Sequence, residues 1–202
     1  MKRVSNDCTP QMKDVIHNDE LLQQLQAGEH AALSVLMRNH YQGLYDYGCR
    51  FCSCKDTVKD AIQEVFISLW QKRSAAGGIG SIRYYLLGAV RNQVLKSLRR
   101  DGRVADFEDS LQQVDFQVDY SIEEKLIRRE DAEQRTIQLR RVLAQLSPRQ
   151  KEALYLRYYQ DMDASQIAAL MQVSPQSVYN LLHEAIRKLR IGWDSSLLLR
   201  AV

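Results

Sequence analysis

Three thiols fall within six positions, Cys49-x-x-Cys52-x-Cys54, and His40 lies a short way upstream. These are the ligand types of a zinc site, and of a zinc-dependent redox sensor built on one. A zinc site of this kind usually draws its remaining ligands from a second Cys or His pair at fixed spacing. No such half-site lies near, so the thiols read as buried or half-buried groups at a helix end. No metal ligand and no cofactor is assigned. Ser-His-Asp, His-Glu-x-x-His and phosphate-loop patterns are also missing from the sequence, so an enzyme is not expected.

The remaining chemistry is that of recognition. On a helical wheel, Val178, Leu181, Leu182, Ala185, Ile186 and Leu189 gather on one side of 175–190. Gln176, Tyr179, Asn180, His183, Arg187 and Arg190 gather opposite. Amides, an imidazole and guanidiniums on one face can bond base edges and phosphates in a major groove. In 82–100, Ile82, Leu86, Val90 and Val94 repeat at four-residue spacing and face inward. Tyr84, Arg91, Asn92, Lys96 and Arg99 share the other side. Cations beside an aromatic suit single-stranded DNA, where phosphates meet charge and an exposed base can stack. In 60–70, Ala61, Ile62, Val65, Phe66, Leu69 and Trp70 form the core arc. Ile67 stands opposite, among Asp60, Gln63 and Glu64, which is the pattern of an apolar interface centre with a polar rim.

These faces need helices to carry them. The chain has 202 residues, 45% of them hydrophobic and 26% charged, with only three prolines. Long amphipathic runs dominate, and the expected fold class is all-α: two small helical domains joined by an acidic linker. The division is a tail over 1–18, a first block over 19–100, a linker over 101–121 and a second block over 122–202. Helices are expected near 19–27, 30–52, 56–73 and 81–100. A flexible, glycine-rich loop over 74–81 separates the last two.

In the second block, three starts carry cap chemistry. Ser147-Pro148-Arg149-Gln150 sets a Ser cap, a Pro at the first helical position and a Gln three residues after the cap. Asp163 and Gln166 repeat the arrangement with Met162 and Ile167 as a hydrophobic staple. Ser174 and Pro175 do so again with Val173 and Val178. Helices should therefore start near 148, 164 and 175, after a longer one over about 122–145. The short helix before Pro175 and its three-residue turn have helix-turn-helix spacing.

Net charge is only +3, but its distribution is uneven. Residues 83–103 hold Arg83, Arg91, Lys96, Arg99, Arg100 and Arg103 against one acid, Asp101. Residues 104–124 hold no Lys or Arg and carry Asp106, Glu108, Asp109, Asp115, Asp119, Glu123 and Glu124. The basic helix and the acidic strip point to different partners or to two sites on one partner. No apolar run is long enough to span a membrane, and the N-terminus has no signal-peptide core, so a cytoplasmic protein without membrane insertion is expected.

A family resemblance joins these observations. Leu146-Ser147-Pro148-Arg149-Gln150-Lys151-Glu152-Ala153-Leu154 is similar to the opening of domain 4 in the sigma-70 family. The run from Ser165 to Ser174 resembles that domain's first helix-turn-helix helix, and the run from Ser177 to Arg190 resembles its recognition helix. Asp60-x-x-Gln63-Glu64-x-Phe66 resembles the domain 2 signature, and the run from Ile82 to Asn92 is similar to the helix that meets the −10 element. The chain departs from the family where Gln172 replaces a common Gly, where Glu184 replaces a common Arg, and where tyrosine replaces a Trp.

Too little sequence separates the two matches for a domain 3, which places the resemblance in the extracytoplasmic-function (ECF) group. The resemblance implies a sigma factor that recognises −10 and −35 promoter DNA together with core RNA polymerase. Asp60, Gln63, Glu64 and Ile67 would meet the β′ clamp helices, and the β flap would be a second polymerase contact. Tyr84, Arg91, Asn92, Lys96 and Arg99 would meet the −10 strand, with loop 74–81 taking an extruded base. Gln176, Ser177, Tyr179, Asn180, His183 and Arg187 would meet the −35 groove. An anti-sigma factor is the expected further partner. The alternative reading is a stand-alone helix-turn-helix regulator that binds duplex DNA without polymerase.

Overall fold

The computed structural model describes residues 10–102, 116–117, 137 and 139–198. Among them the α-helices, in chain order, are α1 (Pro10–Gln26), α2 (His30–Gly48), α3 (Lys55–Gln71), α4 (Ile82–Arg100), α5 (Pro148–Tyr158), α6 (Ala164–Met171) and α7 (Pro175–Leu198). A further helical segment covers 139–144. There are no strands among the described residues, so the all-α expectation holds. The helix expected over 122–145 falls largely outside the described residues, as does most of the expected linker.

The chain divides into two compact units. One comprises Met1–Gly48 and Asp56–Val94, the other Cys49–Lys55 and Leu95–Val202.

In the first unit, Leu25, Leu36, Ile62, Leu69, Ile82 and Leu86 are fully buried and set its core. α1 begins at Pro10, earlier than the pattern indicates, and packs against α2 and the segment after α3. Proline fits there because the first helical residue has no intrahelical use for its N–H. Close approach explains Gly48: a Cβ there would lie 2.6 Å from Val58 Cγ1.

The segment expected as a flexible loop is instead a 3-10 helix over Arg73–Gly78. Ala75 N–H donates to the Lys72 carbonyl at 2.9 Å and Ile79 N–H to the Ala76 carbonyl at 3.1 Å. Ala76 is buried. One buried methyl and the short i→i+3 bonds hold a glycine-rich stretch that α-helix propensity alone would reject.

The second unit is built on the caps. Ser147 Oγ accepts from Gln150 N–H at 3.3 Å, and Gln150 Oε1 accepts from Ser147 N–H at 3.1 Å. The same Gln150 oxygen accepts from Lys188 Nζ at 3.2 Å, which ties the start of α5 to α7. Asp163 Oδ1 accepts from both Ser165 and Gln166 N–H at 2.8 Å. Gln166 Oε1 accepts in return from Asp163 N–H at 2.8 Å. Each such cap is worth about 1 kcal/mol. Leu143, Leu146, Leu154 and Ala185 form a core on which Leu182, Ile186 and Leu189 pack.

The same unit holds an aromatic clasp. Phe116 is 1% exposed, although it lies in the stretch expected to be an acidic linker. Its ring meets Phe51 edge-on at 5.0 Å and Tyr155 at 5.9 Å. Gln117 N–H donates to the Arg50 carbonyl at 2.8 Å, and Arg50 Nη1 donates back to the Gln117 carbonyl at 3.1 Å. The Arg50 guanidinium lies 4.3 Å from the Tyr155 ring centroid.

Helix α6 ends on Gln172 in the left-handed region, with φ 57° and ψ 47°. A side chain there costs about 1 kcal/mol relative to glycine. Gln172→Gly should therefore raise the unfolding free energy by up to about 1 kcal/mol, less what glycine adds to unfolded-chain entropy. Urea denaturation of the full chain measures this. A clear loss of stability would show that the Gln172 side chain makes a contact outweighing its backbone strain.

Candidate nucleic-acid interface

Helices α6 and α7 form the helix-turn-helix that the spacing predicts. Ile167, Val178 and Ala185 are fully buried, so the turn is fixed by packing as well as by caps. Ser174 Oγ accepts from Ser177 N–H at 3.1 Å and lies 2.8 Å from Ser177 Oγ. Ser177 is half-buried and serves the start of α7.

The other residues expected for the groove are exposed on one face: Gln176, Tyr179, Asn180, His183 and Arg187. Tyr179 is 59% exposed. Gln176 Nε2 donates to Asn180 Oδ1 at 3.1 Å, and both side chains are exposed, which leaves Gln176 Oε1 as an acceptor and Asn180 Nδ2 as a donor. An acceptor and a donor side by side are what the major-groove edge of adenine calls for. Arg187 Nη2 donates to Glu184 Oε2 at 2.7 Å. That bond holds the Glu184 carboxyl below its usual range and raises the Arg187 guanidinium further. The pair is solvent-exposed and adds little to stability. Its consequence is local: the Arg187 charge is already shared with an acid where the sequence family usually has a second cation.

Helix α4 needs a correction. Arg91, expected on the exposed cation row, is 1% exposed. The four-residue repeat of Ile82, Leu86, Val90 and Val94 traces only one edge of the buried arc. Leu87, Leu95 and Leu98 are also buried and add a second row, and Arg91 sits between Leu87 and Leu95 at four-residue spacing. That bracketing by leucines is the readable signal.

Tyr84, expected beside the cations, and its neighbour Tyr85 differ in exposure. Tyr84 is half-buried, whereas Tyr85 is 39% exposed and lies seven residues before Asn92. The exposed face of α4 is therefore Tyr85, Asn92, Lys96, Arg99 and Arg100. Tyr85, which is not among the residues expected to meet the −10 strand, is the exposed aromatic of this face.

On α3, Asp60, Gln63, Glu64 and Ile67 are all exposed, and Ile67 is 47% exposed. Ala61, Ile62, Val65, Phe66 and Leu69 are buried opposite. Gln93 Nε2 donates to Glu64 Oε2, linking this face to α4.

Cys52 is buried, and its Sγ accepts from Cys54 N–H at 3.3 Å, a local turn contact. Among the described residues, no group of three or more His, Cys, Asp or Glu is placed to hold a metal ion. No described helix is long and apolar enough to cross a membrane.

Three exposed helix faces, two carrying amides, cations and an aromatic and a third with an apolar centre, fit the class of regulatory DNA-binding proteins. Residues 36–104 match the Sigma-70 region 2 family and residues 136–189 match Sigma-70 region 4, together covering more than half of the chain. The chain is 26% identical over 161 residues to the RNA polymerase sigma factor YlaC of Bacillus subtilis, covering 80% of this chain and 91% of that protein. It is 25% identical over 166 residues to the ECF RNA polymerase sigma factor SigL of Mycobacterium tuberculosis, covering 82% of this chain and 90% of that protein. The fold resembles that of CnrH, solved in complex with the cytosolic domain of CnrY, with a TM-score of 0.53 at 18% identity, over 88% of this chain and 97% of that one. The chain belongs to the sigma-70 family. Within it, the chain is an ECF sigma factor, a protein that directs transcription initiation by RNA polymerase.

One titration follows from the first unit, which holds His40 and Arg83. Burial, and then the charge of Arg83, lower the His40 pKa from 6.5. The unfolded chain therefore takes up this proton first as pH falls. The stability that His40 contributes is complete above pH 6.5 and declines as pH drops from there through the lower folded value. Thermal midpoints of the wild type should fall more steeply over this window than those of His40→Gln. Parallel curves would show that His40 titrates alike in both states.

Proposed function

We propose that this sigma factor engages its promoter and polymerase through three separate helix faces. α3 docks on the β′ clamp helices through Asp60, Gln63, Glu64 and Ile67. α4 meets the melted −10 strand through Tyr85, Asn92, Lys96 and Arg99, with 74–81 receiving an extruded base. α7 enters the −35 major groove with Gln176, Tyr179, Asn180, His183 and Arg187, while Ser177 shapes the entry to the helix. The observation that carries this reading is that each face is exposed on a helix whose opposite side is packed, within one chain matching both sigma regions.

The functional division is a tail over 1–18, a −10 and polymerase domain over 19–100, a linker over 101–121 and a −35 domain over 122–202. The β flap is the second polymerase contact. The chain performs no catalytic step and acts in the cytoplasm. An anti-sigma factor is its regulator, by analogy with CnrH, whose structure was solved with the cytosolic domain of CnrY.

An exposed Ile67 ringed by Asp60, Gln63 and Glu64 has the anatomy of an interface centre that docking would bury. Ile67→Glu combined with Gln63→Ala should weaken core-polymerase binding at least about tenfold, or ~1.4 kcal/mol, with an unchanged thermal midpoint. Wild-type affinity in this variant would remove α3 from the interface.

Base contacts and phosphate contacts should separate in transcription with core polymerase. Asn180→Ala should relax preference at one −35 position by about 1–3 kcal/mol. Lys96→Ala should weaken all promoters alike and reduce the salt dependence. Uniform weakening by Asn180→Ala would mean that its amide contacts the backbone instead of a base.

A further inference from the structure

The 3-10 turn between α3 and α4 is held at three points. Arg73 Nη1 donates to the Trp70 carbonyl at 3.2 Å, and its guanidinium lies 4.7 Å from the Trp70 ring centroid. That ring stacks on His30 at 4.0 Å. Ala76 is buried beneath the turn. From α1, Gln26 Nε2 donates to the Ser74 carbonyl at 3.3 Å. The same exposed amide lies against Gly77, where a Cβ would be 2.5 Å from Nε2 and 3.1 Å from Oε1.

What the turn exposes is unusual in chemistry. The exposed positions of the turn and the residues after it are Ser74, Ala75, Gly77, Gly78 and Gly80. They offer one hydroxyl and one methyl. Any group approaching the turn therefore meets mainly peptide N–H and C=O groups, and their directions are those of the backbone. The backbone is in turn braced by Gln26, which precedes the region matched to Sigma-70 region 2.

We propose that Gln26 is a positioning residue: it fixes the main-chain orientation of the 73–78 turn and thereby sets which extruded −10 base the turn accepts. This rests on the −10 reading above. Gln26 touches no nucleotide itself. Its amide spaces α1 from the turn, with the missing Cβ of Gly77 making room for it and the Ser74 carbonyl as its hydrogen-bond partner.

The test is multi-round transcription by the full chain with core polymerase, on promoters varied one −10 position at a time. The readout is the ratio of transcript from best to worst base at each position. Gly77→Ala forces the amide aside, and Gln26→Glu replaces the donor to Ser74 with an acceptor. Each should reduce the ratio at one position on the order of fivefold, as expected for one misdirected hydrogen bond. Gln26→Ala should restore part of the ratio lost in Gly77→Ala, because the collision is then gone. Should Gly77→Ala not fold, Gln26→Glu carries the comparison.

Ratios equal to wild type in both variants would overturn the positioning role. So would an equal fall on every template, which is what a purely structural contact gives. A wild-type protein with no base preference at any −10 position would instead overturn the −10 reading itself. Lys96→Ala, which should lower all templates without changing the ratios, confirms that the assay separates affinity from base choice.

Discussion

A helix can aim a polar face in one direction only when its opposite stripe is buried. Isolated helices of this length are marginal in water, and α6 has only 8 residues. Its stability comes from Ile167, Ala168, Leu170 and Met171 packing inward and from the reciprocal bonds of Asp163 and Gln166. The same holds for α3, where a buried apolar stripe fixes the direction of Ile67. Burial of each large apolar side chain contributes roughly 1.5–3 kcal/mol, far above what any exposed pair on these helices supplies. The proposed recognition surfaces are in this sense the reverse sides of the cores, and mutations in the cores would disorient them.

What can be read from the sequence follows from how local the causes are. The caps at Ser147 and Asp163 are legible because their donors and acceptors lie within three residues of each other. The faces of α3 and α7 are legible because single, well-spaced apolar stripes define them. Arg91 escapes the pattern because α4 buries a wider arc than one stripe, and an arginine is the residue that periodicity assigns outward by default. The 3-10 turn escapes it because glycine count argues against α-helix but is silent on a turn braced from another helix by Gln26. Phe116 is hidden for a related reason. Its acidic neighbours set the character of the stretch, whereas its burial depends on Phe51 and Tyr155, both remote in sequence.

Charge plays a secondary part in holding these units together and a primary part in what they meet. Lys59–Asp56 and Arg187–Glu184 are exposed ion pairs three residues apart. Such pairs are screened by salt and add little to stability. The exposed cations of α4 act differently. Lys96, Arg99 and Arg100 share a stretch with one acid, and cations so arranged release counterions when they meet phosphates. Arg91 is withdrawn from that set by burial, so the electrostatic footprint of α4 is smaller than a count of its cations indicates.

On the proposed assignment, strand opening has to come from differential affinity, since a ligand shifts an equilibrium only by the difference in its affinity for the two states. DNA stacking is worth about 1.4 kcal/mol per step on average. Base stacking on an aromatic returns about 1–3 kcal/mol per base. The exposed face of α4 offers one aromatic, Tyr85, and the adjoining turn offers peptide groups for one extruded base. Those two captures offset the opening of only a few steps. A longer melted segment therefore requires contacts made elsewhere in the complex, and these become available only when α3 is docked. On that assignment the exposed isoleucine on α3 and the exposed tyrosine on α4 would be coupled energetically: without the first, the second would hold too few bases to keep the strands apart.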